Sequence, residues 1–367
     1  MEQQIGQLFM LGFEGTSVSP ELSRLLKEYR PGGVILFARN LERADQIVAL
    51  TNELQQLSPA SPLLISIDQE GGRVSRLPAD FTIFPPCATL GLCGSANLVH
   101  GAAAVTASEL RAVGINMNMA PVLDVNSNPD NPIIGDRSFS ADPIAVSEMG
   151  LATIKGLQGN RVVACGKHFP GHGDTVADSH KELPVVSASR ERLEQIELAP
   201  FRRVLARGME GPAAIMTAHV LYPALDAERP ATLSPAILTG LLREQMHYDG
   251  LILTDDLEMH AIIDHYGVGE AAVLALEAGA DVLLICKDRD RQAAAFEAVR
   301  KAVKDGRIPQ TRLEASLNRI ARVKDRFLLP YAPAELSTAR EIVGSRTHKT
   351  VLATVTQTGK RRAKAPA

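Results

Sequence analysis

Short apolar runs alternate with amphipathic segments along most of the chain. The runs are LFMLGF (8–13), GGVILF (32–37), LLISID (63–68), INMNMAPVLDV (115–125), RVVACGKHF (161–169), AAIMTAHV (213–220), GLILTDD (250–256) and DVLLIC (281–286). Most are nearly continuous in hydrophobic residues, as strands of a parallel sheet covered on both faces are. Between them lie SPELSRLLKEY, RADQIVALTNELQQL, AAAVTASELRAVG and GEAAVLALEAGA, whose apolar residues recur at helical spacing. Eight strand–helix units predict an α/β fold, a (β/α)8 TIM-type barrel. A doubly wound open sheet is the competing arrangement, but no GxGxxG follows the first run. The barrel is expected over residues 1–330 as a single domain. Residues 331–367 read as a C-terminal helical extension that ends in a disordered basic tail, QTGKRRAKAPA.

In such a barrel the chemistry gathers at the C-terminal ends of the strands. Those ends carry Asp68, Asp124, Lys167 with His168, His219 and Asp255, a set of charged and imidazole groups that would converge on one rim. Composition narrows what that rim could serve. A net charge of −3 leaves no footprint for nucleic acid and no polybasic patch for a membrane surface. Aromatic residues are 4% of the chain and Trp is absent, so a compact polar pocket is expected, not a long aromatic-paved groove. Cys87, Cys93, Cys165 and Cys286 have neither CxxC nor zinc-knuckle spacing and read as buried thiols. The N-terminus lacks a basic n-region, a long h-region and an A-x-A site, and no run approaches the ~18 apolar residues of a membrane span. The expectation is a cytoplasmic protein with no membrane or nucleic-acid partner; the oligomeric state stays open, with a monomer as the simplest case.

The stretch CGKHFPGHGDTVADSH (165–180) holds three of the nine histidines: His168, His172 and His180. A metal site on one helix face would need His168 and His172 four apart on a helix, and Pro170, Gly171 and Gly173 break that helix. A structural polar loop is the second reading. The third is acid–base chemistry. Asp178 lies two before His180, and in an extended segment the two would share a side. The carboxylate could then orient the imidazole, which titrates near neutral pH. Asp255, at the exit of the seventh run, is the best candidate nucleophile. Asp256 should point away and serve as an N-cap or first-turn acid of a helix in LEMHAII.

Taken together and in order, IDQEGGRVSRL, GDRSF, KHFPGHGDTVADSH and TDDLEM resemble the bacterial β-N-acetylhexosaminidases of glycoside hydrolase family 3, over about residues 6–329. The resemblance implies a retaining exo-β-N-acetylglucosaminidase acting on peptidoglycan-derived fragments, with no cofactor and no metal. It implies Asp255 as the nucleophile, His180 as the acid/base and Asp178 as its dyad partner. It also implies that Asp68, Arg76, Arg137, Lys167 and His168 hold the sugar. Arg73 reads instead as a structural ion pair, and His172 as a residue that shapes its loop. A phosphorylase of the same family is the main alternative. A metal-dependent hydrolase barrel and a non-catalytic sugar-binding barrel are weaker ones.

Overall fold

The computed structural model describes residues 2–179 and 181–364. All eight expected runs form strands: β1 (Phe9–Leu11), β2 (Gly33–Leu36), β3 (Leu64–Ile67), β4 (Met117–Asn118), β5 (Val163–Phe169), β6 (Ala214–Thr217), β7 (Leu251–Asp256) and β8 (Val282–Ile285). They pair in parallel and in sequence order, and β8 closes on β1 through Phe9–Leu283 and Leu11–Ile285, so the sheet has no edge. Every residue of β1 to β6 and of β8 is buried, which is why the runs carry no polar alternation. The fourth run is the longest in sequence and the shortest strand. Pro121 has no N–H to donate, and only isolated pairing resumes beyond it, at Val122–Lys167.

Helices wrap the outside, starting with Pro20–Tyr29, whose N-terminus Ser19 caps by accepting the Leu22 N–H at 3.1 Å. Asp142 and Asp288 cap Pro143–Gly159 and Arg289–Lys304 in the same way. Between β6 and β7 the outer helix Ala236–Gln245 is a π-helix. The main core fills the barrel and the layer beneath the helices. A second, smaller core lies to one side, where Phe84, Leu90, Val99, Phe139, Val146 and Val355 pack together.

Past the barrel, helices Leu336–Ile342 and Arg346–Ala363 form the extension. The second continues through Lys360, Arg361 and Arg362, so the basic segment expected to be disordered is helical as far as Ala363. The apolar stripe of Val351, Leu352 and Val355 holds this helix in place by packing on the second core. Among the described residues, no helix is long and apolar enough to cross a membrane. The four cysteines are buried free thiols.

Candidate active site

A cavity of about 230 Å³ opens at the C-terminal end of the barrel. Its lining includes Asp68, Arg76, Arg137, Lys167, His168 and Asp255, six of the eight residues singled out from the sequence. Two strand irregularities aim these side chains. The β5–β6 register shifts between Gly166 and Phe169, so the consecutive residues Lys167 and His168 both reach the site. The β7–β8 register shifts between Leu253 and Asp256, where Thr254 Oγ1 accepts the Leu284 N–H at 2.9 Å. That shift turns Asp255 to the cavity and Asp256 towards β8.

Lys167 is 2% exposed and its ammonium lies 2.7 Å from both Asp68 Oδ1 and Glu70 Oε1. Glu70 also accepts two parallel bonds from Arg137, at 2.9 and 2.8 Å. Burial pushes the Glu70 carboxyl up, but Lys167 and Arg137 outweigh it and hold the group well below the usual carboxylate range. Burial likewise works against the Lys167 ammonium, and the carboxylates of Asp68 and Glu70 keep it charged. A buried cation pair of this kind is stable only because each charge has a partner.

Asp124, fully buried, organises the histidines. Its Oδ2 accepts His168 Nδ1 at 2.7 Å, while Oδ1 takes the backbone N–H groups of His168 (3.1 Å) and His172 (2.7 Å). With Nδ1–H committed to a carboxylate, His168 presents Nε2 towards the cavity, 3.5 Å from Arg137. His172 is closed in by Thr175 Oγ1 at 2.9 Å and Ser179 Oγ at 3.1 Å. Burial, with His168 adding to it, pushes its pKa down to about 4, so it is neutral at working pH. The Thr175 and Ser179 contacts tie its ring to the loop, and it also lines the cavity. Gly173 packs so tightly on Val125 that a Cβ would lie 1.6 Å from the Val125 carbonyl oxygen.

Asp255 accepts the Asp256 N–H at 2.8 Å. Burial raises its carboxyl pKa, yet His219, His168, that N–H and Lys167 together carry the balance downward, so the group is a carboxylate at neutral pH. Asp256 departs from the expected helix cap. The following helix begins only at His260, and the Asp256 carboxylate instead accepts the N–H groups of Glu258 (3.1 Å) and Cys286 (3.3 Å). Burial, reinforced by Glu258 and Asp255, pushes it up to about 7. His219 does not line the cavity; its Nε2 donates to the Asp256 carbonyl at 3.0 Å.

The acid/base candidate His180 lies outside the described residues. The carbonyl of its expected partner Asp178 accepts the Lys181 and Glu182 N–H groups at 2.8 and 3.0 Å. Arg73 makes the expected ion pair, with Asp136 at 2.9 Å, and also lines the cavity. Arg76 differs: among the described residues its buried Nε has no hydrogen-bond partner, and its guanidinium lies 5.9 Å from the Phe37 ring centre. Sequence reasoning passed over Glu70 and left Asp124 without a role. Glu70 stands just after β3 inside the motif IDQEGGRVSRL, and Asp124 stands near the end of the fourth run.

Known proteins resemble this chain over nearly its whole length. The family model described as "Glycosyl hydrolase family 3 N terminal domain" matches residues 1–323. A Pseudoalteromonas piscicida protein named beta-hexosaminidase A is 39% identical over 360 residues, 91% of this chain and 59% of that one. The chain thus spans under two thirds of that relative's length, against 77% of a Thiobacillus denitrificans beta-hexosaminidase that is 41% identical over 76% of this chain. Among solved structures, a Paenibacillus family 3 beta-N-acetylglucosaminidase superposes with a TM-score of 0.94 at 45% identity, covering 98% of this chain and 68% of the other. NagZ from Neisseria gonorrhoeae, solved with N-trifluoroacetyl-D-glucosamine, gives 0.78 at 32% identity, covering 96% and 98%.

Proposed function

The chain belongs to glycosyl hydrolase family 3, and we propose that it is a retaining exo-β-N-acetylglucosaminidase. In this reading it removes terminal N-acetylglucosamine from peptidoglycan-derived fragments in the cytoplasm. The observation that carries it is Asp255: an ionised carboxylate set in a cavity whose walls also include Asp68, Arg76, Arg137, Lys167 and His168. Carboxylate, ammonium, imidazole and guanidinium can divide a sugar's hydroxyls between them as acceptors and donors. A compact pocket favours cutting from a chain end. The named relatives support N-acetylglucosamine as the sugar.

Two steps follow from that placement. Asp255 attacks the anomeric carbon while His180, partnered by Asp178, protonates the departing oxygen. The covalent glycosyl-enzyme is then opened by water, from which His180 takes a proton. Lys167 and His168 hold hydroxyls in place, while His219, His168, the Asp256 N–H and the Lys167 ammonium together outweigh the burial of the nucleophile and keep it ionised. Following hydrolysis of an aryl N-acetylglucosaminide by proton NMR tests this reading. The expected first product is the β-anomer of free N-acetylglucosamine, unchanged by added phosphate. Sugar 1-phosphate as the main product would make the enzyme a phosphorylase, and an α-anomer would remove the covalent step.

A further inference from the structure

The extension meets the active-site loops at one buried carboxylate. Glu109, on the helix Ala96–Ala112, has a side chain only 1% exposed and accepts four bonds. Two come from Thr82, through its N–H at 2.8 Å and its hydroxyl at 2.6 Å. The other two come from the extension, through the Gly344 N–H at 3.0 Å and His348 Nδ1 at 2.8 Å. Thr82 belongs to the loop 68–86, which runs from β3 to the helix Cys87–Leu92 and carries Asp68, Glu70 and Arg76.

Two further contacts tie the same partners. Gly344 has a φ of +60°, and a Cβ there would lie 2.2 Å from the Asp80 carbonyl oxygen, so the turn between the two extension helices rests on the loop backbone. Val355 packs in the second core with Phe84 and Phe139. Phe84 accepts the Gly72 N–H at 2.9 Å, two residues after Glu70, and Phe139 lies two residues after Arg137. The loops that carry both sides of the Glu70–Arg137 pair are therefore seated on a core that the extension completes.

We propose that the extension is a positioning brace for the sugar site, acting through Glu109 with His348 and Gly344 as its keys. A helix that merely covered apolar surface would not share a buried carboxylate with a binding loop. Here the carboxylate satisfies donors from two separate segments, and loss of one segment's donors leaves it underpaired against the other. The proposal rests on reading the cavity as the sugar site. His348 and Gly344 touch no substrate and act only through the loop.

The test uses the full chain and compares His348→Ala, His348→Gln, Gly344→Ala and Arg340→Ala. Arg340 pairs with Asp45 on the outer side of the same extension and serves as the control. His348→Ala and Gly344→Ala should raise KM for an aryl N-acetylglucosaminide roughly 3- to 10-fold with kcat little changed. Hydrogen exchange should quicken in peptides covering 68–86. His348→Gln, whose amide can donate to the same oxygen, should recover KM to within about twofold of the parent, and Arg340→Ala should stay within that margin. If the Gly344 variant does not fold, the His348 pair decides. A lower melting point with KM and 68–86 exchange unchanged would overturn the brace. An inactive parent protein would overturn the glycosidase reading instead, and the exchange arm would still judge the brace.

Discussion

At the two ends of the barrel sit two clusters of buried charge, similar in parts and different in finish. Below β8, the fully buried Asp281 accepts from Arg243, from Ser316 Oγ at 2.7 Å, from the Ile252 N–H at 3.0 Å and from Arg319 at 3.3 Å. Arg312 stands 3.5 Å away. Both oxygens are engaged, and the donors lead outward into helices. At the other end Lys167, Asp68, Glu70 and Arg137 form a comparable chain, but it borders a cavity of about 230 Å³. There Arg76 Nε is buried with no partner among the described residues, and Asp255 faces the opening. Burial and charge are alike in both. What distinguishes a site from a staple is hydrogen-bonding capacity left facing a hollow, at the barrel end where chemistry resides.

The contrast can be broken most sharply by removing the central carboxylate from each cluster. Asp255→Ala should lower kcat by about 10⁴-fold or more, with the melting point little moved. Asp281→Ala should do the reverse, costing about 3–5 kcal/mol of stability because buried guanidinium groups lose their counter-charge. Its kcat/KM, measured on folded protein well below the melting point, should match the parent. Comparable losses of both properties in both variants would erase the distinction.

Glu70→Gln probes the middle ground, since Glu70 lines the cavity yet is engaged by two cations. Loss of its charge should lower kcat/KM roughly 10- to 100-fold, mainly through KM, with a measurable fall in melting point. The smallest effect is expected at Asp256, whose pKa is pushed up to about 7 by burial. The folded protein holds a proton there that the unfolded chain releases between about pH 4 and 7. Stability from this group is therefore complete below pH 4 and lost as pH rises through 7. Asp256→Asn keeps an oxygen for the Glu258 and Cys286 N–H groups and cannot ionise. Thermal melts should place it above the parent by roughly 2–4 °C at pH 8, with no such gain at pH 4.

How much of this was legible in the sequence differs between strand and loop. The eight strands were readable because parallel strands buried on both faces leave near-continuous apolar runs. Lys167, His168 and Asp255 were readable because they end such runs. Glu70 was not, because a loop acid reveals nothing until Lys167 and Arg137 are seen to converge on it. Asp124 stood at a strand end, but its task is to aim His168 from behind. Asp256 was misplaced as a helix cap because the helix starts later than LEMHAII suggests, at His260. The extension's brace was hidden for a related reason: Glu109 and His348 are far apart in sequence and meet only through folding.

The central claim is that Asp255 is the nucleophile of a retaining glycosidase. Trapping with 5-fluoro-N-acetylglucosaminyl fluoride, followed by peptide mass mapping, tests it directly. The label should appear on the peptide containing Asp255, with activity lost in step with labelling. A label on another residue, or inactivation without any covalent adduct, would contradict it.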